Sequence, residues 1–459
     1  MPVTLKDLAR IPGVEVLDKK LFVQIREITT DSRKLEGKDC FVALKGEKFD
    51  GHEFVPAAIS AGVKTVIVNK SFVPSGNEKI AIVKVPDTTL FLGTLANIKR
   101  KKFKGVVIGI TGSNGKTSTK DILTTILSEK FKVHSTGANN NNHIGVPLTI
   151  FELDNSHRAA VIEMGTNHFG EIEYLAKTAS PDIGIITNIG PSHLEFLKNL
   201  KGVFKEKSAL FKEVIENKGT LIVNKDDEFL KKYSKKYKRP VSFGSKKSAD
   251  VNYAAGKVNP DGTQDIVLTT SEFKIKTASP LIGGHNASNI AAATAVAVKL
   301  GMKKNEIKAG ISKLTPPKHR LNFIRSGNAV IIDDTYNSNP NSVRAALKVL
   351  KMVAGDSEKV IALGDMFELG ETAEKEHRAL AQPVLKSDPA ITVLIGSHME
   401  FLYDELNGKI KNLRHFSGRE QFAEFIRSLS ERNMFILFKG SRGMKMEEFI
   451  NQLTEVRPV

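Results

Sequence analysis

The chain has one cysteine, no tryptophan and only six tyrosines among its 459 residues. The single thiol, Cys40, excludes an intramolecular disulfide framework and fits a reducing compartment. Its setting, Cys-Phe-Val-Ala-Leu, suits a small apolar strand residue better than a nucleophile. Long apolar runs are also missing: no uncharged stretch approaches the roughly 18–20 residues that cross a bilayer. The opening residues, Met-Pro-Val-Thr-Leu-Lys-Asp-Leu, lack the basic-then-apolar layout of a secretory signal. No low-complexity tract and no repeat of fixed period stands out. These absences predict a cytoplasmic globular protein without membrane insertion.

Acidic residues are the minority, 51 against 68 Lys and Arg, for a net charge of +17. A surplus of this size raises nucleic acid as a partner. The lysines are scattered, however, with one dense run from Lys231 to Arg239. A solvated lysine-rich surface is the simpler reading, and the charge would also draw in a polyanionic nucleotide. The 41% apolar and 26% charged content is that of an ordinary globular chain, with length for two to four domains.

What is present begins with Ile108-Gly-Ile-Thr-Gly-Ser-Asn-Gly-Lys-Thr117. An apolar run, Val106 to Ile110, enters a glycine loop, and a helical pattern over Ser118 to Phe131 follows. That order is what a phosphate-binding loop requires. Gly112, Ser113, Asn114 and Gly115 offer backbone N–H groups to phosphate oxygens, reinforced by the positive end of the helix. Lys116 would reach the β- and γ-phosphates, and the Thr117 hydroxyl would hold Mg²⁺. The full pattern wants another glycine where this chain has Ile110. ATP or GTP is the expected ligand.

Around this loop strands and helices alternate. Residues 1–102 carry short strands at 41–44, 65–68 and 81–85. Residues 103–313 have near-continuous apolar runs at 159–163, 183–187 and 220–224, which suit parallel strands buried on both faces. Residues 240–280 switch to period two, predicting antiparallel strands around Asn259-Pro-Asp-Gly262. Ala287–Leu300 reads as an alanine-rich helix. Residues 314–459 form another α/β block, with strands at 329–333, 360–363, 392–395 and 435–438. The expected fold is α/β in three domains: a small N-terminal domain, a central mostly parallel sheet of the P-loop ATPase type, and a C-terminal Rossmann-like domain. A ligand site at their junction is expected.

Strand ends supply the remaining chemistry. Glu163 closes the run Val-Ile-Glu-Met-Gly and is the candidate metal carboxylate; a strand-end glutamate facing solvent is the plain alternative. His193, after the next strand, could add a nitrogen ligand, although Mg²⁺ bound with ATP prefers oxygen. Asn224-Lys-Asp-Asp227 matches a guanine-recognition pattern, but the DxxG switch of a GTPase is missing from any strand end. Gly283-Gly-His-Asn-Ala-Ser-Asn289 offers amides to a base or ribose, or simply caps a helix. His319-Arg320 opens the last block. Asp333–Pro340, Gly364–Gly370 and Lys439–Arg442 end three strands of one sheet, where α/β folds bind ligands.

Taken in order, Thr111–Thr117, Val161–Gly165, His193-Leu-Glu195, Asn224–Asp227, His285-Asn-x-x-Asn289, His319-Arg320 and Asp333–Pro340 resemble the Mur ligases over essentially the whole chain. Within that family, Asn141–Thr149, Ala362–Gly370 and Lys439–Glu447 are most similar to the members that add D-alanyl-D-alanine. The Asp-Asn-Pro-Arg motif of the diamino-acid-adding members is not found. The resemblance also reassigns Asn224–Asp227 to a family loop, away from guanine.

The resemblance implies ATP-dependent amide synthesis through an acyl phosphate, with UDP-MurNAc-tripeptide and D-Ala-D-Ala as substrates. It implies Lys116, Glu163, His193 and Lys207 as catalytic residues. Two Mg²⁺ ions would be held by Thr117, Glu163, His193 and a carbamylated Lys207, which precedes Ala209-Leu-Phe211 as in the family; an unmodified surface lysine is the alternative. ATP would meet residues 112–117, Asn286, Asn289, Arg320 and Asp334. Ser32 and Arg33, with Gly46–His52, would meet the UDP portion, Asn141 and Asn142 the muramoyl-peptide, and Tyr336, Asn337 and Asn339 the dipeptide. A monomer without nucleic acid is expected. The alternatives are a Mur-type ligase with another acceptor, a folate-type ligase, or a basic P-loop ATPase that binds nucleic acid.

Overall fold

Runs of Val, Ile and Ala that end in glycine or a polar turn build three sheets in the computed structural model, which describes residues 1–46, 49–75, 79–238, 240–259, 263–316, 318–429 and 432–454. The chain divides into two compact units. One comprises Met1–Thr111, Leu127–Ile186 and Glu206–Ile222; the other comprises Gly112–Ile126, Thr187–Lys205 and Val223–Val459.

In the first unit, β1 (Glu15–Leu17), β2 (Ile28–Thr29), β3 (Cys40–Val42), β4 (Thr65–Asn69) and β5 (Ala81–Val85) form a sheet ordered β1-β5-β4-β3-β2. β2 to β5 run parallel, and β1 closes one edge antiparallel with Val16 opposite Val83. Cys40 is buried in β3, as a small strand filler. The same unit holds β6 (Val106–Thr111), β7 (Val133–Ser135), β8 (Ala159–Glu163), β9 (Ile183–Ile186) and the start of β10 (Thr220–Asn224), in the order β10-β9-β6-β8-β7. β6 is flanked on both sides by parallel partners, with Ile108 opposite Val161 and Ile183. All of β8 and β9 is buried, which is why their sequences are unbroken apolar runs rather than alternating ones. Glycine lets the helix Leu200–Glu216 lie close on this sheet: a Cβ at Gly109 would meet Leu210 Cδ1 at 2.9 Å, and one at Gly184 would meet Val214 Cγ2 at 2.8 Å.

In the second unit, β11 (Val241–Gly244), β12 (Val251–Val258), β13 (Gln264–Thr269) and β14 (Lys274–Ser279) follow in the order β14-β13-β12-β11. β12–β13 and β13–β14 are antiparallel, and β11–β12 is parallel. β13 is buried at alternate positions, the physical source of its period-two sequence. Residues 260–262 of the expected turn lie outside the described residues. The helix Gly284–Lys299 begins before the alanine run that announces it. The helix after the glycine loop, Lys116–Leu127, ends before the 118–131 pattern does, because the amides of Lys130 and Phe131 both turn back onto the Leu127 carbonyl.

The same unit carries β15 (Asn322–Ser326), β16 (Ala329–Asp333), β17 (Glu358–Gly364), β18 (Ile391–Ile395), β19 (Leu413–Phe416) and β20 (Met434–Lys439), ordered β15-β16-β20-β17-β18-β19. Only β15 is antiparallel. Val343, Leu347 and Leu350 pack on one face, and Phe422, Ile426 and Phe449 on the other. β16, β20 and β17 lie side by side, so Asp333, Lys439 and Gly364 end at one edge of the sheet.

Candidate active site

β6 runs directly into the glycine loop, and the following helix starts at Lys116. Gly115 has φ of +79°, a left-handed conformation that favours glycine, and a Cβ there would stand 2.7 Å from Asn289 Oδ1, so the Asn289 amide would have to shift. The segment after β9 braces the loop from within the same unit. The Ser113 amide donates to the Asn188 carbonyl at 3.0 Å, and its hydroxyl donates to the Gly190 carbonyl at 2.9 Å. The Asn114 amide donates to Asn188 Oδ1 at 3.1 Å, while Thr187 Oγ1 and Asn188 Nδ2 donate to the Asn114 carbonyl. Gly115, Lys116 and Thr117 open the helix, where backbone donors have no intrahelical acceptor and the dipole favours an anion. Lys116 Nζ lies 2.8 Å from the Gly112 carbonyl, within the loop's own curve.

Asn224–Asp227 serves the protein backbone. Asn224 Nδ2 donates to the Thr187 carbonyl at 2.8 Å, Asp227 Oδ2 accepts from the Ile189 amide at 2.6 Å, and Asp227 Oδ1 caps the helix Glu228–Ser234. Burial raises the Asp227 carboxyl above its ordinary range, against the backbone hydrogen bonds that favour its charge. These two side chains fasten the segment that braces the glycine loop.

The second unit gathers most of the other nucleotide and acceptor candidates. Arg320 Nη2 approaches Thr117 Oγ1 at 3.5 Å, and its guanidinium lies over the Tyr336 ring, 4.1 Å from the centroid. Asn286 donates to the Ile282 carbonyl at 2.9 Å. Lys439, 1% exposed, faces Asp334 Oδ2 at 2.6 Å and donates to the Asn337 carbonyl at 2.9 Å. The Asn337 side chain accepts from the Arg442 amide at 3.3 Å. Asn339 caps the helix Pro340–Ala354 through Ser342, and its Nδ2 reaches Asn114 Oδ1 at 2.6 Å. The clusters after β16, β17 and β20 do meet: the Ser441 amide donates to the Asp365 carbonyl, and the Ser441 hydroxyl accepts from the Phe367 amide.

His193 Nδ1 lies 2.6 Å from Glu368 Oε2. Both residues sit in the left-handed region, with φ of +51° and +62°. His193, together with the charge of Lys116, holds the Glu368 carboxyl below its ordinary range.

Glu163, Lys207, Asn141, Asn142, Ser32 and Arg33 belong to the first unit. Glu163 is 2% exposed; Asn141 Nδ2 donates to its Oε1 at 2.9 Å, and its amide donates to Thr136 Oγ1 at 3.0 Å. A solvent-facing strand end is therefore excluded for it. Asn142 Oδ1 accepts from the Ile144 and Gly145 amides, a local role at the start of the helix Gly145–Phe151. Lys207 is 1% exposed, so it is no surface lysine. Its neighbour Glu206 accepts from the Gly170 and Ile172 amides, each at 2.7 Å. Arg33 pairs with Asp31 at 2.9 Å on the surface. In the Gly46–His52 segment, Glu47 and Lys48 lie outside the described residues. His52 Nδ1 faces Asp50 at 2.5 Å and its Nε2 accepts from the Asn69 amide at 2.9 Å, beside a cavity of about 480 Å³ reaching Phe72 and Asp87.

Sequence reasoning missed Asn188, Glu206 and the individual role of Glu368. Asn188 follows a strand end next to a threonine, a usable signal. Glu206 and Glu368 carry none, because their partners are distant in sequence.

Three family models match in order: "Mur ligase family, catalytic domain" over residues 24–100, "Mur ligase middle domain" over 110–297 and "Mur ligase, glutamate ligase domain" over 319–442. The UDP-N-acetylmuramoyl-tripeptide–D-alanyl-D-alanine ligase of Bacillus subtilis is 35% identical, over 94% of this chain and 93% of the relative. Crystal structure I of MurF from Acinetobacter baumannii superposes with a TM-score of 0.90 at 33% identity, covering 99% of both chains. The MurF ligase from Thermotoga maritima in complex with ADP superposes with a TM-score of 0.84 at 26% identity, covering 96% of this chain and 99% of that one. A glycine loop braced at one sheet, a polar edge on a second and matches along nearly the whole length agree: the chain belongs to the Mur ligase family.

Proposed function

We propose that this Mur ligase joins D-alanyl-D-alanine to UDP-N-acetylmuramoyl-tripeptide with ATP, acting as a monomer in the cytoplasm. Near-full-length likeness to ligases of that name carries the reading. The braced glycine loop supports it, because it supplies the phosphate site such a reaction needs. Residues 1–102 serve the UDP substrate, 103–313 serve ATP and 314–459 serve the dipeptide.

A carboxylate resists attack by an amine, because it is anionic and has no leaving group. Transfer of the γ-phosphoryl group cures both defects: the bond to ADP breaks, and a carboxylate oxygen becomes part of an acyl phosphate. The dipeptide amine then adds to the acyl carbon and loses a proton. Collapse of the tetrahedral intermediate expels inorganic phosphate with the C–O bonding electrons. Such chemistry depends on charge stabilisation and alignment more than on a protein nucleophile. Lys116 and the amides at the helix start receive the phosphates. Arg320, stacked on Tyr336 beside Thr117, adds positive charge at the same end. Asn286 and Asn289 serve the adenosine side. Asp334, paired with Lys439, orders the loop that carries Tyr336, Asn337 and Asn339 toward the dipeptide. Ser32 and Arg33 receive the UDP portion, and Asn141 and Asn142 the muramoyl-peptide.

The donor chemistry fits Mg²⁺. Thr117 offers a hydroxyl, and Glu163 a buried carboxylate already oriented by Asn141. Thr117, Glu163, the Nε2 of His193 and a carbamylated Lys207 would hold two ions. When bound there, Mg²⁺ would supply positive charge against the phosphate oxygens.

The test is phosphate release from ATP with UDP-MurNAc-tripeptide, with and without D-Ala-D-Ala, and the mass of the nucleotide product. Release that needs both substrates, with a mass gain of one dipeptide less water, is the expected result. Release indifferent to the dipeptide would overturn the acceptor assignment.

A further inference from the structure

The densest basic run takes no part in the site above, yet the fold gives it a defined surface. Phe204, on the helix Leu200–Glu216, packs against Phe229 and Tyr233 of the helix Glu228–Ser234, with ring centroids 5.6 Å and 5.4 Å apart. Tyr237 joins Tyr233 at 5.1 Å. Phe229, Tyr233 and Tyr237 recur every fourth residue, so aromatic side chains gather on one side and the residues between them are mostly lysines. Lys232, Lys235, Lys236 and Lys238 are exposed, as are Lys198 and Lys201 beside the half-open Leu200, which is 38% exposed. Among the described residues none of these six lysines has an ion-pair partner, whereas Lys231 pairs with Glu228 at 3.1 Å.

From Phe229 to Lys238 the chain has no acidic residue. Lys232, Lys235, Lys236 and Lys238 therefore concentrate positive charge at the end of the helix and in the turn after it, with no acidic residue between them. An anionic surface outside the molecule would neutralise that charge. We propose that this face docks peripherally on an anionic lipid surface. The rings of Phe204, Phe229 and Tyr233 pack against one another as a cluster rather than standing apart as successive platforms for nucleobases. Lysine stems, tyrosine hydroxyls and an exposed leucine instead suit the boundary between headgroups and acyl chains. Each lysine near such a surface strengthens partitioning roughly fivefold, and the attraction fades beyond about 10 Å at 0.1 M salt.

The experiment is co-sedimentation of the full chain with vesicles of phosphatidylcholine alone or mixed with phosphatidylglycerol, at low and high salt. The expected result is binding to the anionic vesicles only, weakened by salt. K232E/K235E/K236E/K238E lowers that binding by roughly a hundredfold or more, with an unchanged thermal unfolding midpoint. Leu200→Ser, which keeps every charge, lowers it by roughly a few-fold. Equal retention on neutral vesicles would overturn the proposal, as would undiminished binding by the quadruple variant. Tighter binding to single-stranded RNA than to the anionic vesicles at matched salt would overturn it in favour of a nucleic-acid face.

Discussion

Two loops of the second unit follow the carboxyl ends of parallel strands and are held in opposite ways. The glycine loop after β6 is gripped by its neighbours at Ser113 and Asn114, through two amides, one hydroxyl and one carbonyl. Its remaining residues open a helix, whose first amides have no intrahelical acceptor. In the loop after β17, the amides themselves are taken: Met366 donates to His377 Nε2 at 3.1 Å, and Phe367 donates to Ser441 Oγ at 2.8 Å. That loop cannot cradle an anion with those amides. It presents a side chain instead, Glu368, in a left-handed conformation against His193. Where the amides go, rather than how many glycines are present, separates an anion cradle from a side-chain presenter.

The sharpest way to break this contrast is Lys116→Met. Substrate-dependent phosphate release should fall roughly 10³-fold, the scale for removing a charge-stabilising donor, with the thermal midpoint unchanged. A loss of only a few-fold would mean that the glycine loop does not cradle the reacting phosphates. Gly115→Ala comes next. It forces a Cβ toward Asn289 and a left-handed alanine, and should cost about 1–3 kcal/mol of stability together with nucleotide affinity, read by calorimetry. Glu368→Gln keeps the shape but removes the charge facing His193. On the proposal that His193 holds Mg²⁺, turnover should drop roughly 10-fold and the Mg²⁺ concentration for half-activation should rise, the scale for a group that orients a metal ligand. An unmoved Mg²⁺ dependence would make Glu368 merely structural.

Smaller effects test how each loop is held. Asn339→Ala removes the helix cap and the contact with Asn114, costing about 1 kcal/mol in denaturant unfolding. His377, fully buried, is held below its ordinary pKa by burial. The Ala373 carbonyl and Asp365 act against that shift, and His398 acts with it. Protonating its Nε2 would also displace the Met366 amide. The unfolded chain thus binds the extra proton first, near pH 6.5. Stability is fully present above that pH and declines as pH falls below it toward the depressed folded value. The thermal midpoint should fall over that interval. His377→Gln, which keeps an acceptor, should flatten the slope.

Much of the first loop was legible because its determinants are local. A strand run, glycines at fixed spacing and a helix start lie within Ile108–Thr117, and β8 and β9 announce themselves through buried apolar runs. The period-two pattern likewise identified the antiparallel β12–β14 pairs. The second loop was legible only as a polar strand end. His377, Ser441 and His193 approach it from separate stretches of chain, and no periodicity encodes that meeting. Asn224–Asp227 shows the opposite difficulty: a short pattern with a familiar look turned out to bind backbone groups of residues 187–189. Asn339 combines both cases, since its helix cap follows from Asn-Pro in sequence while its reach to Asn114 does not.

The close approach of Gly115 to Asn289 bears on drug resistance. An inhibitor seated against that turn would rest on backbone. Every replacement at position 115 would bring a Cβ to 2.7 Å from Asn289 Oδ1 and need a conformation that glycine adopts most easily. Substitution at that point carries a conformational cost and displaces the Asn289 amide, so resistance would arise more readily at residues whose side chains are free to vary.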